Sequence, residues 1–359
     1  MRAMVAQPEH TPTGLASTSQ TLRAVGSVAV VLPSSPPHRA GHLHDGLDVL
    51  RKLGVDARPP VDRADHALPH LAGNDALRAR ELAAALSAAD VDAVWCGRGG
   101  SGALRTLHVL AGAQSWANQT AGSSTPRLVA LDDAAASFAA IDPSRRDIPL
   151  VGLSDATALL LARAFGDVAG VAIHGPVVTQ LPKLDAGSAD ALATWLRAPD
   201  RLPVLIAEDD ETAGVGMVGG QAEGRLVAGN LSMLASCAGT PESIDTDGAI
   251  LVIEEVAEPA YRIDRMIAQL KRAGCLDGLA GLAWGTFTDC PRPDLVADCL
   301  ADWSTMLGVP TAGSFPIGHG VRCRPVALGL RYRLRADDGV LEPLQTVSQW
   351  LADTSPQRR

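Results

Sequence analysis

The chain has 359 residues, of which 47% are hydrophobic and 20% charged, a globular balance with enough apolar side chain for two cores. Its net charge of -9 excludes a basic field that would gather a nucleic acid backbone, and no run reaches the roughly 18 apolar residues of a membrane span. With six Trp, four Phe and two Tyr against 35 Gly and 24 Pro, small aliphatic side chains must fill the interior.

Residues 1–24 hold Pro8, Pro12 and several Ser and Thr but no continuous apolar stretch, so they read as a tail and not a signal peptide. The cysteines Cys96, Cys237, Cys275, Cys290, Cys299 and Cys323 never stand in C-x-x-C spacing, which suits reduced thiols and a cytoplasmic protein. The β-branched run from Val25 to Leu32 predicts a buried strand, stopped by Pro33-Ser-Ser-Pro-Pro37. A helix follows over 39–53, and a second opens at Asn74 or Asp75 with Leu82 and Leu86 on one face. It leads into a strand over Val91 to Cys96. Short apolar runs at 128–131, 150–153 and 168–173 then alternate with helical stretches such as 156–165, a pattern that predicts a parallel α/β sheet.

Beyond Pro176 the pattern loosens into a helix over 188–197 and the glycine-rich 214–220. The expected division is therefore an N-terminal α/β domain over 25–180, a linker over 181–220 and a C-terminal domain over 221–359. In that last part strands are expected at 249–253, 278–286 and 326–334. A helix from about Ile263 to Ala273 ends on Lys271 and Arg272, with Gly274 closing it.

Three stretches could carry chemistry. Leu150-Val-Gly-Leu-Ser-Asp-Ala156 is a strand that runs through Gly-x-Ser-x-Ala into a helix, as a nucleophile elbow does; a plain N-cap at Ser154 reads the same way. A serine nucleophile needs a base and an orienting carboxylate. His319 stands between glycines in Phe315-Pro-Ile-Gly-His-Gly320, and Glu254 ends the apolar run Ala249 to Ile253, although a structural loop histidine and a surface acidic turn fit the same letters. Gly97, Gly99 and Gly102 fit G-x-G-x-x-G after a strand, which opens a dinucleotide-binding alternative. The acid expected ~20 residues further on is missing, since the first are Asp132 and Asp133; the other use of such a turn is an oxyanion hole. His38, His42, His44 and Asp45 could face one metal ion, but no second histidine cluster joins them.

Taken in order, these motifs resemble the LD-carboxypeptidases, a serine peptidase family that includes murein tetrapeptide carboxypeptidases and microcin C immunity peptidases. The likeness runs from Val28 to about Leu334 through Pro33-Ser-Ser-Pro36, Arg98-Gly-Gly-Ser-Gly102, Gly152-Leu-Ser-Asp155, His174-Gly-Pro176, Gly229-Asn-Leu231 with Gly239-Thr-Pro241, Ile253-Glu-Glu255 with Glu258, Tyr261-Arg-Ile-Asp-Arg265 and Gly318-His319. The resemblance implies Ser154 as nucleophile, His319 as base and then acid, and Glu254 as its orienting carboxylate. It places the oxyanion hole at the Asp155 amide and an amide of the Gly99-Gly100 turn, with Gly99 and Ser101 against the substrate. It further implies an N-terminal parallel domain related to class I glutamine amidotransferases, a smaller C-terminal α/β domain, a site between them, a homodimer, and no metal or cofactor. Ser101 stands where the family usually has an aromatic residue, and Ala228 where it has Gly. The compact segment between Ser154 and Glu254 resembles the tetrapeptidase branch, so the expected reaction is release of a C-terminal D-amino acid, D-Ala from murein tetrapeptide. A peptidyl-nucleotide amide is the alternative substrate.

Overall fold

A computed structural model of the chain describes residues 22–61, 68–112, 141–166, 169–208 and 216–354. The expected strand at 128–131, almost all of the 1–24 tail and the start of the glycine-rich 214–220 lie outside the described residues.

The first half alternates strands and helices. β1 (Ser27–Val31) is followed by α1 (Ala40–Lys52), which buries Leu47 and Leu50 and ends on Arg51 and Lys52, where cations suit the helix dipole. After β2 (Asp56–Arg58), α2 (Asp75–Ser87) starts where the Asn74 side chain accepts from Leu77 N at 2.8 Å. Then come β3 (Ala93–Cys96), α3 (Ala103–Leu110), β4 (Leu150–Gly152), α4 (Thr157–Phe165), β5 (Ala172–His174) and, past a 3-10 turn over Val178–Lys183, α5 (Ala186–Arg197).

The second half begins with β6 (Leu205–Ile206) and β7 (Gln221–Asn230), a ten-residue strand that the sequence reading did not single out. It continues through α6 (Leu231–Cys237), β8 (Ala249–Val256), α7 (Ala260–Arg272), β9 (Gly281–Thr288), α8 (Pro293–Leu307) and β10 (Thr311–Ala312). The chain closes with β11 (Val326–Ala327), β12 (Arg331–Arg335), β13 (Val340–Pro343) and α9 (Val347–Asp353).

These elements form two sheets. In the first, β2-β1-β3-β4-β5 run parallel and β11 adds an antiparallel edge beside β5. This doubly wound order reverses between β1 and β3, and ligands of such sheets sit beyond the carboxyl ends of the strands at that point. In the second sheet β10-β9-β8-β7 are parallel, and β12, β13 and β6 continue it antiparallel. Among the described residues no helix is long and apolar enough to cross a membrane.

Two expectations need correction. The stretch 181–220 does not simply link domains: α5 turns Leu192, Trp195 and Leu196 inward, Trp195 meets Trp95 of β3 edge to face at 6.1 Å, and Val25 N donates to Leu196 O at 2.7 Å. The single strand expected over 326–334 is two strands in different sheets, because the chain turns at Gly329, whose φ of +81° suits a residue without Cβ.

Candidate functional site

β4 ends at Gly152, Leu153 is extended, and Ser154 then takes φ +65°, a left-handed conformation that a non-glycine residue rarely adopts. An N-cap residue keeps extended backbone. Ser154 does not, so the turn is an elbow that presents the hydroxyl before a 3-10 turn leads into α4. The elbow requires small neighbours: a Cβ on Gly152 would stand 2.7 Å from the Ala156 Cβ and 3.2 Å from Cys96 Sγ.

The loop after β3 rests on this serine. A Cβ on Gly99 would lie 2.7 Å from Ser154 Cβ and 3.0 Å from its Oγ, so only glycine lets the backbone come this near. Ser35, from the loop after β1, fixes the turn: its N donates to Gly99 O at 3.2 Å, and its hydroxyl accepts from Ser101 N at 3.0 Å while donating to His70 O at 2.6 Å. Below lies Arg78, fully buried, which donates to Gly102 O at 2.8 Å, Thr106 Oγ1 at 2.7 Å, Pro33 O and the Asp75 carboxylate. Neither role was read from the sequence, since a Ser in a Pro-Ser-Ser-Pro turn and an Arg inside a helix carry no signal of their loop partners.

Asp155 is buried, and its carboxylate accepts from Ala103 N at 2.7 Å with the Ser34 hydroxyl beside it; burial raises its pKa against the pull of those donors. The first amide of α3 therefore already holds an anion from the chain itself. In a dinucleotide-binding loop that place belongs to a pyrophosphate, so Gly97, Gly99 and Gly102 do not act as that fingerprint here. Ser101 is exposed at the rim. Arg98 is half-buried, donates to Pro36 O at 2.6 Å and meets His38 Nε2 at 2.6 Å, and has no acidic partner among the described residues; burial lowers its pKa.

The second sheet supplies the other half. Glu254, fully buried near the carboxyl end of β8, accepts from His319 Nδ1 at 2.7 Å. Nδ1 must carry the proton to meet a carboxylate, which leaves Nε2 as an acceptor on a ring still 19% exposed. Burial opposes the charge on Glu254, but the neighbouring imidazole and the Asn230 amide outweigh it and hold the carboxyl below its usual range. Burial likewise opposes a charged His319, and Glu254 outweighs it, raising the imidazole above 6.5. The β8–β9 register slips between Ile253 and Glu255, placing Gly285 and Thr286 opposite Glu254. Gly318, at φ +145°, packs so tightly that a Cβ there would strike Thr286 Oγ1 and come within 3.1 Å of Glu254 Oε2.

Bonds across the seam join the halves. Asn230 N donates to Thr157 Oγ1 at 3.1 Å at the foot of the elbow, and the Asn230 side chain donates to Glu255 at 2.9 Å. His174, opposite Gly152 in the β4–β5 register, is fully buried; burial lowers its pKa to about 4, partly countered by Glu254. The structure thus pairs Ser154 with Gly99, and Glu254 with His319, in two groups that these contacts hold together. Among the described residues no three His, Cys, Asp or Glu side chains gather as metal ligands, His38, His42, His44 and Asp45 included. All six cysteines are free.

The chain is similar to known proteins in both sequence and fold. The family models for the LD-carboxypeptidase N-terminal and C-terminal domains match residues 28–175 and 223–334. The chain is 32% identical to the murein tetrapeptide carboxypeptidase of Pseudomonas aeruginosa, over 86% of this chain and 93% of that protein. Its fold is similar to the crystal structure of muramoyltetrapeptide carboxypeptidase from Oxalobacter formigenes, with a TM-score of 0.69, 25% identity, and coverage of 88% of this chain and 97% of that one. The wild-type apo microcin C7 self immunity protein has a similar fold at a TM-score of 0.68, with 15% identity and coverage of 90% and 97%.

Proposed function

We propose that this chain, which belongs to the LD-carboxypeptidase family, is a serine peptidase that hydrolyses the amide between an L-centre and a C-terminal D-amino acid, releasing D-Ala from murein tetrapeptide. Ser154 Oγ attacks the scissile carbonyl while His319 Nε2 takes its proton, and Glu254 stabilises the imidazolium that forms. The oxyanion rests on the Asp155 and Gly100 amides, each such donor worth roughly 3 kcal/mol of barrier. His319 then gives the proton to the leaving amine, the C–N bond breaks, and an acyl-enzyme remains on Ser154. Water attacks that ester, His319 accepts its proton, and Ser154 leaves with a proton returned by the imidazole.

The observation that carries this reading is the 2.7 Å contact between His319 Nδ1 and the buried Glu254, because it leaves Nε2 basic. Arg98, a cation without an acidic partner among the described residues beside the Gly99-Gly100 turn, suits the terminal carboxylate that any carboxypeptidase substrate brings. The substrate is a small peptide, and the enzyme works as a cytoplasmic homodimer without metal or cofactor. Mass spectrometry of muramyl tetrapeptide incubated with the protein tests it: D-Ala appears with wild type, and Ser154→Ala lowers the rate at least ~10³-fold. Folded wild-type protein that releases no D-Ala would reject the tetrapeptide as substrate and point to peptidyl-nucleotide amides.

A further inference from the structure

The 3-10 turn over Val178–Lys183 belongs to the half of the molecule that carries Ser154, yet it touches both halves of the site. Thr179 N donates to Gly97 O at 3.0 Å, at the root of the glycine loop that backs Ser154. The next residue, Gln180, is buried, and its Nε2 donates to Gly318 O and Gly320 O, both at 2.9 Å. Those carbonyls flank His319. Two carbonyl acceptors must face the amide nitrogen, so the orientation of the Gln180 side chain is settled. Further along, the same loop is held by Asp185 N donating to Val321 O at 2.9 Å and by Cys323 N donating to the Ser188 hydroxyl at 3.0 Å, but neither bond reaches the histidine itself.

We propose that Gln180 is a positioning residue that sets the reach of His319 toward Ser154. This rests on His319 being the base. Glu254 fixes the tautomer and tilt of the ring from within its own half of the molecule, and nothing in that pair determines how far the ring stands from a nucleophile carried by the other half. Gln180 supplies that constraint, because one side chain grips the backbone on both sides of His319 and the turn it belongs to grips the glycine loop. A displaced base slows proton transfer without changing the surface the substrate meets, and a misplacement of about 1 Å costs up to 100-fold.

The test compares wild type with Gln180→Met, which keeps the length and loses both donors, and Gln180→Glu, which faces two carbonyls with acceptors only. For Gln180→Met, kcat for D-Ala release falls about 10- to 100-fold with KM within about twofold. The acidic limb of the kcat/KM profile stays where it is, because Glu254 still holds His319, and Gln180→Glu ranks below Gln180→Met. Hydrogen–deuterium exchange rises in 315–322 and not in the strands. Wild-type kcat in Gln180→Met, or exchange in 315–322 equal to wild type, overturns the proposal. So does a fall in kcat matched by exchange that rises throughout the chain, which is general destabilisation. If wild type releases no D-Ala, the tetrapeptide reading fails by itself, and the exchange of 315–322 still decides whether Gln180 holds the loop.

Discussion

In the proposed reaction the hydrogen bond between Glu254 and His319 sets the working pH. A base whose pKa is raised is protonated, and idle, at a higher pH than an ordinary imidazole, so kcat/KM falls as pH drops through a midpoint above 6.5. Glu254→Gln keeps the shape and removes the charge that raises His319. Its acidic limb therefore moves to lower pH while kcat at pH 8 drops by about 10⁴, the ring no longer being held in the productive tautomer; a pH–rate series on both proteins checks the direction, and an unmoved limb would separate Glu254 from the titrating base. Local patterns singled these residues out in the sequence, and the family resemblance gave them their proposed roles: Gly-x-Ser-x-Ala at a strand end for Ser154, an apolar run breaking into acids for Glu254, and flanking glycines in a loop for His319. Gln180 and Arg78 were not legible. Their roles lie in backbone carbonyls more than a hundred and more than twenty residues away in sequence, respectively, and a carbonyl has no letter.

At the level of elements, the loops after β1 and β3 and the elbow after β4 are built as one unit around close backbone contacts. Gly99→Ala would press a methyl group onto Ser154, and the cheapest relief is for the loop to retreat and take the Gly100 amide with it. Loss of one oxyanion donor predicts a kcat about 10²- to 10³-fold lower in a protein that still folds, read as D-Ala release beside an unchanged circular dichroism spectrum; wild-type kcat would remove that turn from the oxyanion site. Arg78 is the complementary case. Arg78→Met removes one of the two arginines on Asp75, which keeps Arg105 at 2.6 Å, and takes one donor each from the carbonyls of Gly102 and Pro33, which keep Thr106 N and Thr106 Oγ1, so urea unfolding should show a loss of about 1–3 kcal/mol. The elements themselves were readable as far as local pattern decides them: α2 was expected from its Asn74 cap and α4 from the elbow. β11 and β12 were read as one strand because Gly329 sits in an apolar run that suits either sheet, and only the tertiary partners choose.

Over the whole molecule, the chain crosses from one sheet to the other more than once, which ties the two halves together. After the base loop it enters the first sheet as β11, and Leu328 N donates to Ala172 O at 3.0 Å; one residue later Gly329 N donates to Leu226 O at 2.8 Å in the second sheet. α9 then returns to the first half, with Val347 N on Asp200 O at 3.0 Å and Ser348 N on the Asp200 carboxylate at 2.7 Å. A crossover of two residues leaves no change in residue usage, so composition carries no sign of it. A first half expressed alone would lack β11 on the edge beside β5, His174 would lose its neighbour Val326, and Asp200 would lose the first turn of α9. The full chain is therefore expected to unfold in urea as one transition. Fluorescence, which reports Trp95 and Trp195 in the first half and Trp284 and Trp303 in the second, should give the same midpoint as loss of D-Ala release. Two separated fluorescence transitions would mean that the seam, with its Asn230–Thr157 and Gln180 bonds, is weaker than either sheet. The site would then open before the protein unfolds, and activity would vanish at the first transition.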